Sequence, residues 1–597
     1  MKKIEFMDTS FRDGFQSYFG ARVLTADFIP AVEAAAAAGI SYFEAGGGAR
    51  FQSIPLYCGE SPFDMMDKFR KAAGPNAKLQ TLARGINVVA LSQQPKDMID
   101  LHAKMFKKHG ITHIRNFDAL NDYRNLEYSA QCIKNAGLHH QVCVTMMELP
   151  PGCEGAHDAA FYIKTLKDIL NSGLPFDSIC FKDASGTANP QKVYETVKQA
   201  RALVGKDMVL WIHSHATAGI GESQYKAAIE AGIDGVCLCR KPVSGGTGQP
   251  DLLSMNHVLK GTQYTLDIDY KKILEANNVF TECLKDYFFP PEALAISPEV
   301  IYSPMPGGAL TANTMMMRDT GTLNLYPEVI VEMGEVIKRG GFGTSVTPMS
   351  QFYFQQAFSN VTQGKWKKFA DGYADTVLGY FGKTPTEPDA EVVRLASEQT
   401  GKKPFTGHPL DILSPGIPEA KKILEENKLP VTDENLFIVG AFKTKEGNKG
   451  LDFLKGNFKI SVVKNAAKKD GAAAPAPSAA STKSSGGVGN YVVNVDGKNY
   501  KVVVAEGASG GIQVSQVTPA EKKAVAGAVE VKAKLPGSVM KVNVSVGSKV
   551  KKGDTIVVLE AVKMETPIYS PQDGEIVSVD VKKGDVIRAN QLLVMIK

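Results

Sequence analysis

HSHATAG, from His213 to Gly219, sets two histidines two residues apart. On a strand, residues at that spacing face the same side, so His213 and His215 can address one ion. DTSFRDGFQS adds Arg12, Asp13 and Gln16, IRNFDALND adds Arg115, and FKDASG adds Lys182. A mixed carboxylate and imidazole set suits a divalent transition metal. A lysine ammonium repels such an ion, whereas an anionic lysine carbamate can help hold it. Forked guanidinium donors suit a carboxylate. Each piece also has a plain reading: HxH as core packing, Arg12 with Asp13 as a surface ion pair, Lys182 as a rim lysine. Far along the chain, EAVKMET (Glu560 to Thr566) presents Lys563 between a valine and a methionine, with acids nearby on both sides. Its plain reading is a surface lysine in a loop.

These groups need elements to bring them together. The runs KIEFMD, SYFEAG, KLQTLA, HIRNFDA, HQVCVTMM, DSICFKDA, MVLWIHSH and GVCLCRK read as strands, with helical stretches such as PQKVYETVKQARALVG between them. Eight strand–helix alternations within about 260 residues predict an α/β fold, a (β/α)8 barrel, in preference to a doubly wound sheet. The chemical residues then fall at the C-terminal ends of strands, where barrel active sites form. Near the C-terminus, GSVMKVNVSVG at Gly537 repeats as GEIVSVDVKKG at Gly574. Two such β halves make a small flattened barrel, with EAVKMET at the hairpin between them. GAAAPAPSAASTKSSGGVG has almost no large apolar side chain and reads as a linker. YVVNVDGKNYKVVV reads as a hairpin about Asp496-Gly497.

The expected division is a barrel over 1–265, a mainly helical funnel over 266–468, a disordered linker over 469–489, a small β unit over 490–516, a second linker over 517–528, and the β-domain over 529–597. A chain of 597 residues with net charge +5 gives no sign of a nucleic-acid partner. Eight cysteines without a CxxC pair fit a reducing compartment. The start, MKKIEFMDTS, lacks the apolar run of a secretory signal, and no run reaches the length of a membrane span, so a cytoplasmic protein is expected.

The segment from Val529 resembles the biotinyl domain of biotin-dependent carboxylases, whose modified lysine lies in an E-A-M-K-M motif. Lys563 matches that lysine, with Val562 where methionine is usual. RDGFQ, FKDASG and HSH resemble the carboxyltransferase family of pyruvate carboxylase, the oxaloacetate decarboxylase alpha subunit and the transcarboxylase barrel subunit. SPMPGGALTAN, VTPMSQ and YFGKTP continue the likeness. The resemblance implies biotin on Lys563, a divalent ion (zinc, manganese or cobalt) held by Asp13, Lys182, His213 and His215, and a carboxylated Lys182. It also implies that Thr311 carries a proton between substrate and biotin. Removing a methyl proton from a 2-oxo acid makes an enolate, stabilised by positive charge at its oxygen. Arg12 and Arg115 can bind the carboxylate and that oxygen, with Gln16 as a further donor. The pyruvate and oxaloacetate pair is favoured.

Departures from the family pattern stand at Phe15 (for histidine), Gly46 (for tryptophan), Arg50, Ile86 and Ala216. Arg50 suggests either a more acidic acceptor, such as 2-oxoglutarate, or a salt-bridged scaffold residue. The rival readings are a metal-dependent aldolase or lyase of the related barrel superfamily, and a biotin carrier with an inactive barrel. With no GxxxxGK[ST] motif, the chain is expected to rely on a separate ATP-dependent biotin carboxylase subunit or on membrane decarboxylase subunits. A biotin protein ligase and a homo-oligomeric state are also expected.

Overall fold

Strands buried on both faces read as near-continuous apolar runs, and helices cover them where the sequence turns to a longer period. In the computed structural model, which describes residues 1–444, 447–465, 489–495, 498–504, 514–516, 528–533, 536–561, 564–588 and 590–597, the eight expected strands form one closed parallel barrel. They are β1 (Glu5–Asp8), β2 (Tyr42–Glu44), β3 (Lys78–Ala83), β4 (His113–Asn116), β5 (His139–Thr145), β6 (Ser178–Asp183), β7 (Val209–Ser214) and β8 (Gly235–Leu238). The ring closes where Glu5 to Asp8 pair with Gly235 to Leu238.

Alternation sorts the strand side chains into two cores. Ile114, Val142, Ile179, Phe181, Leu210 and Ile212 pack outward against the helices. Cys143, Cys180, Trp211 and Cys237 belong to a separate inner cluster. By the same period of two, Arg115, Lys182 and His213 share the inward face. Helix starts at the catalytic rim are fixed by side-chain caps: Ser61 accepts from Asp64 N, Asp158 from Phe161 N and Asn189 from Lys192 N.

Four helices, Gly307–Thr320, Tyr326–Arg339, Met349–Gln363 and Asp371–Val377, join the inner cluster through Leu310, Met333, Tyr353 and Tyr373. They close over the mouth of the barrel. The later helix Asp433–Ala441 instead packs on the barrel's outer layer, with Phe437 against Phe51, Phe63 and Phe106.

The strands Gly489–Val495, Lys498–Val504 and Val514–Gln516 form a three-stranded antiparallel sheet. The C-terminal β-domain has two four-stranded sheets around a core that includes Val539, Ile556, Leu559, Ile576, Ile587 and Val594. The sequence repeat is visible in its architecture. Gly537–Val542 and Gly574–Val579 each sit inside a sheet, and each carries a bulge at the matching place, between Val539 and Lys541 and between Ile576 and Ser578. Each also pairs with the short strand of the other half, Val586–Ile587 and Lys549–Val550 respectively. Lys563 falls between the strand ending at Ala561 and the one starting at Met564, and lies outside the described residues, as do nearly all of the two linker segments.

Candidate active site

Directly after β1 the chain makes a wide turn, Ser10–Gly14, in which the Thr9 carbonyl accepts from the backbone N–H of Arg12, Asp13 and Gly14. This turn aims Arg12 and Asp13 into the barrel mouth. The Asp13 Oδ2 lies 3.0 Å from His213 Nε2 and 3.3 Å from His215 Nε2. One ligand atom from each of the three groups lies within 4.8 Å of the others, and all three residues are buried.

The tautomer of His215 suits a ligand. Its Nδ1 is 2.7 Å from the Thr247 carbonyl, which can only accept, so Nδ1 carries a proton and Nε2 is the nitrogen turned toward Asp13. Burial alone would raise the Asp13 carboxyl. The Arg12 guanidinium, 2.9 Å away, and the two imidazoles outweigh it and hold the group well below the usual carboxylate range. Burial pushes His213 down, helped by the charge of Lys182, and keeps the ring uncharged. A carboxylate and two imidazoles converging on one point is a donor set that fits a divalent ion.

Lys182, 3 % exposed, lines the same cleft as Asp13 and His215. Burial lowers its pKa, opposed by Asp13 and reinforced by Arg12 and Arg115. The uncharged amine is the form that can take up carbon dioxide. Gln16 is on the cleft as well and accepts from Arg12 Nη1 at 3.1 Å. The cleft is capped by Pro306 and Gly308 of the helical region.

Two of the expected residues stand elsewhere. Arg115 is not among the cleft-lining residues: it lies under the triad, with Nη1 3.2 Å from His213 Nδ1 and Nε donating to Gln141 Oε1 at 2.6 Å. The Thr311 hydroxyl is buried outside the cleft lining and donates to the Ser17 carbonyl. Two residues enter that the sequence reading lacks. Arg84 lines the cleft one residue beyond β3; its Nη1 donates to the Val89 and Ala90 carbonyls at 2.7 and 3.0 Å, leaving its Nε–Nη2 edge without a protein acceptor among the described residues. Its place just past a strand end is the signal that could have found it. Gln249 donates to Asp13 Oδ2 at 2.9 Å and lies 3.0 Å from His215 Nε2.

Three family models match in order: HMGL-like over residues 3–280, Conserved carboxylase domain over 300–504, and Biotin-requiring enzyme over 529–596. A pyruvate carboxylase subunit of Methanocaldococcus jannaschii is 31% identical over 569 residues, covering 94% of this chain and 94% of that protein. The chain belongs to the family of biotin-dependent carboxyltransferase subunits. The methylmalonyl-CoA carboxyltransferase 5S subunit of Propionibacterium freudenreichii subsp. shermanii is 33% identical over 406 residues, 68% of this chain and 78% of its own. Among solved structures, the carboxyl transferase domain of Rhizobium etli pyruvate carboxylase, with pyruvate and biocytin, shares the fold at a TM-score of 0.68 and 22% identity. That likeness covers 87% of this chain and 89% of the other.

In this carboxyltransferase the departures at Phe15 and Arg50 touch. The Arg50 guanidinium lies 5.3 Å from the Phe15 ring centre and 5.2 Å from that of Phe28, and donates to the Ala21 carbonyl. It is fully buried and not on the cleft. Arg50 does not line the cleft, and among the described residues it has no ion-pair partner. It staples the helix Phe15–Phe19, which carries Gln16, to the helix Gly48–Ser53. Among the described residues no helix is long and apolar enough to cross a membrane.

Proposed function

We propose that the carboxyltransferase moves a carboxyl group between biotin on Lys563 and a 2-oxo acid, with pyruvate and oxaloacetate as the favoured pair. The observation that carries this is one cleft in which Arg12, Arg84, Gln16 and Lys182 surround the opening beside Asp13 and His215. The ligand set is Asp13, His213 and His215, completed by Lys182 once carboxylated, and zinc, manganese and cobalt all suit such oxygen and nitrogen donors. A divalent ion there supplies positive charge that polarises the substrate oxygen. Arg84 binds the substrate carboxylate through its free edge. Arg12, fixed by Glu44 at 2.6 Å and Asp13 at 2.9 Å, adds a preorganised charge near the developing enolate oxygen. Gln16 orients the substrate. Thr311 exchanges the proton only if its hydroxyl leaves the Ser17 carbonyl, which assigns it a rotamer change within the cycle.

Carboxyl groups reach the biotin arm from a separate ATP-dependent biotin carboxylase subunit, or leave it at membrane decarboxylase subunits, and a biotin protein ligase attaches the cofactor. The test is a panel of 2-oxo acids assayed with the partner carboxylase, in wild type and Lys563→Ala. Turnover of pyruvate that vanishes in the variant is the expected result. Preference for 2-oxoglutarate would replace the substrate assignment, and full turnover in Lys563→Ala would overturn the reading.

A further inference from the structure

A carboxylate that is to hold an ion must be aimed, and the groups that aim it matter nearly as much as the ligand itself. Arg12 is a neighbour of Asp13 in the same turn and moves with it. Gln249 is different: it reaches Asp13 from the chain beyond β8 and is fully buried. Its carboxamide is held at both ends. Nε2 donates to Asp13 Oδ2 at 2.9 Å. Oε1 accepts from the Thr9 hydroxyl at 2.9 Å and from the Cys239 thiol at 2.8 Å. Chemistry sets this orientation. A carboxylate can only accept, so the amide nitrogen must face Asp13, which leaves the oxygen to a hydroxyl and a thiol that can donate. Burial raises the Cys239 thiol and keeps its proton in place.

The two anchors sit on the seam of the barrel. Thr9 is one residue past β1 and Cys239 one residue past β8, the strands whose pairing closes the ring. Gln249 thus ties the Asp13 carboxylate to a rigid junction that the turn Ser10–Gly14 does not itself provide. The tie leaves Asp13 able to ligate. A carboxylate offers about four lone-pair directions, and Arg12 and Gln249 occupy two of them. Gln249 Nε2 also lies 3.0 Å from His215 Nε2. An ion on that imidazole would replace this second contact, so the contact to Asp13 is the one that bears on metal binding. Gln249 is not among the residues lining the cleft, which separates it from the 2-oxo acid.

We propose that Gln249 is a positioning residue of the metal site: its carboxamide, anchored on Thr9 and Cys239, fixes the rotation of the Asp13 carboxylate. The inference rests on the metal site proposed above. Hydrogen-bond partners of metal ligands typically contribute about 10- to 100-fold in metal affinity or activity.

The test uses the full biotinylated chain, stripped of metal and titrated calorimetrically with Mn²⁺ and with Zn²⁺. The Co²⁺ form is followed by visible absorption, and steady-state kinetics with pyruvate are run at saturating metal. Gln249→Met, similar in length but without the amide, should weaken binding of both ions about 10- to 100-fold. It should also shift the Co²⁺ absorption bands and leave KM for pyruvate unchanged. Thr9→Val, which removes one anchor and keeps the amide, should weaken binding in the same direction by a smaller factor. If Gln249→Met does not fold, the double variant Thr9→Val, Cys239→Ala, which frees the amide oxygen from both anchors, carries the same expectation. Unchanged metal affinity and unchanged Co²⁺ bands, with only a lower Tm, would make Gln249 a packing residue and overturn the proposal. Wild-type protein that binds neither ion would instead remove the metal site itself.

Discussion

Arg84 and Lys182 are both cationic side chains buried at one cleft, yet they are expected to fail differently. A hydrogen bond to a charged group contributes about 1.5–3 kcal/mol, so Arg84→Gln should cost about 10- to 150-fold in kcat/KM, nearly all of it in KM. Burial lowers the Lys182 pKa and favours the amine that can be carboxylated. Lys182→Ala should therefore reduce bound metal, measured by elemental analysis of purified protein. Unchanged metal content would strike Lys182 from the ligand set. His213 and His215 were legible as a pair because residues two apart at a strand end fall on the same side. Arg84 and Arg115 were not separable in that way. Each strand residue advances about 3.3 Å, so a shift of a residue or two in where a strand ends moves a side chain from barrel interior to rim. Arg115 lies inside β4, and Arg84 lies just past β3.

At the scale of elements, the start of the helix Gly307–Thr320 sets the second wall of the site. A Cβ on Gly307 would stand 1.8 Å from the Thr247 carbonyl oxygen and 3.0 Å from His215 Nδ1. Gly307→Ala must push Thr247 away and break the bond that sets the His215 tautomer. Overpacking of this kind typically costs about 1–3 kcal/mol. The variant should lose thermal stability and metal affinity together, by scanning calorimetry and metal titration. Retention of both would show that the helix start is free to move. The GG of SPMPGGALTAN was visible in the sequence, but its reason was not. It lies in a close approach between the helical region and a barrel loop far apart in the chain.

For the molecule as a whole, buried histidines set the acid limit. Burial pushes His102 and His113 down to about 3 and His140 and His157 down to about 4. The unfolded chain binds protons at these sites near pH 6.5, while the folded protein does not. Stability is therefore full above about pH 6.5 and falls as pH drops from there through about 3 to 4. Each such histidine adds a slope of about 1.4 kcal/mol per pH unit. Denaturant midpoints measured from pH 7 to 4.5 should decline steeply, and a flat profile would contradict the burial of these rings. The eight strands and the duplicated β-domain were readable in advance because each depends on local period and repetition.

The amino-acid order by itself determined the barrel, the inward set of Lys182, His213 and His215, the repeat around Lys563, and the kind of chemistry these residues serve, since strand alternation and short motifs are local properties. Only the tertiary structure decided which arginine faces the cleft, that Arg50 packs on Phe15 instead of facing the site, that Gln249 closes on Asp13, and that the Thr311 hydroxyl is engaged by Ser17. Those outcomes depend on height along the barrel and on contacts between segments well separated in the chain, and neither is written in the spacing of neighbours.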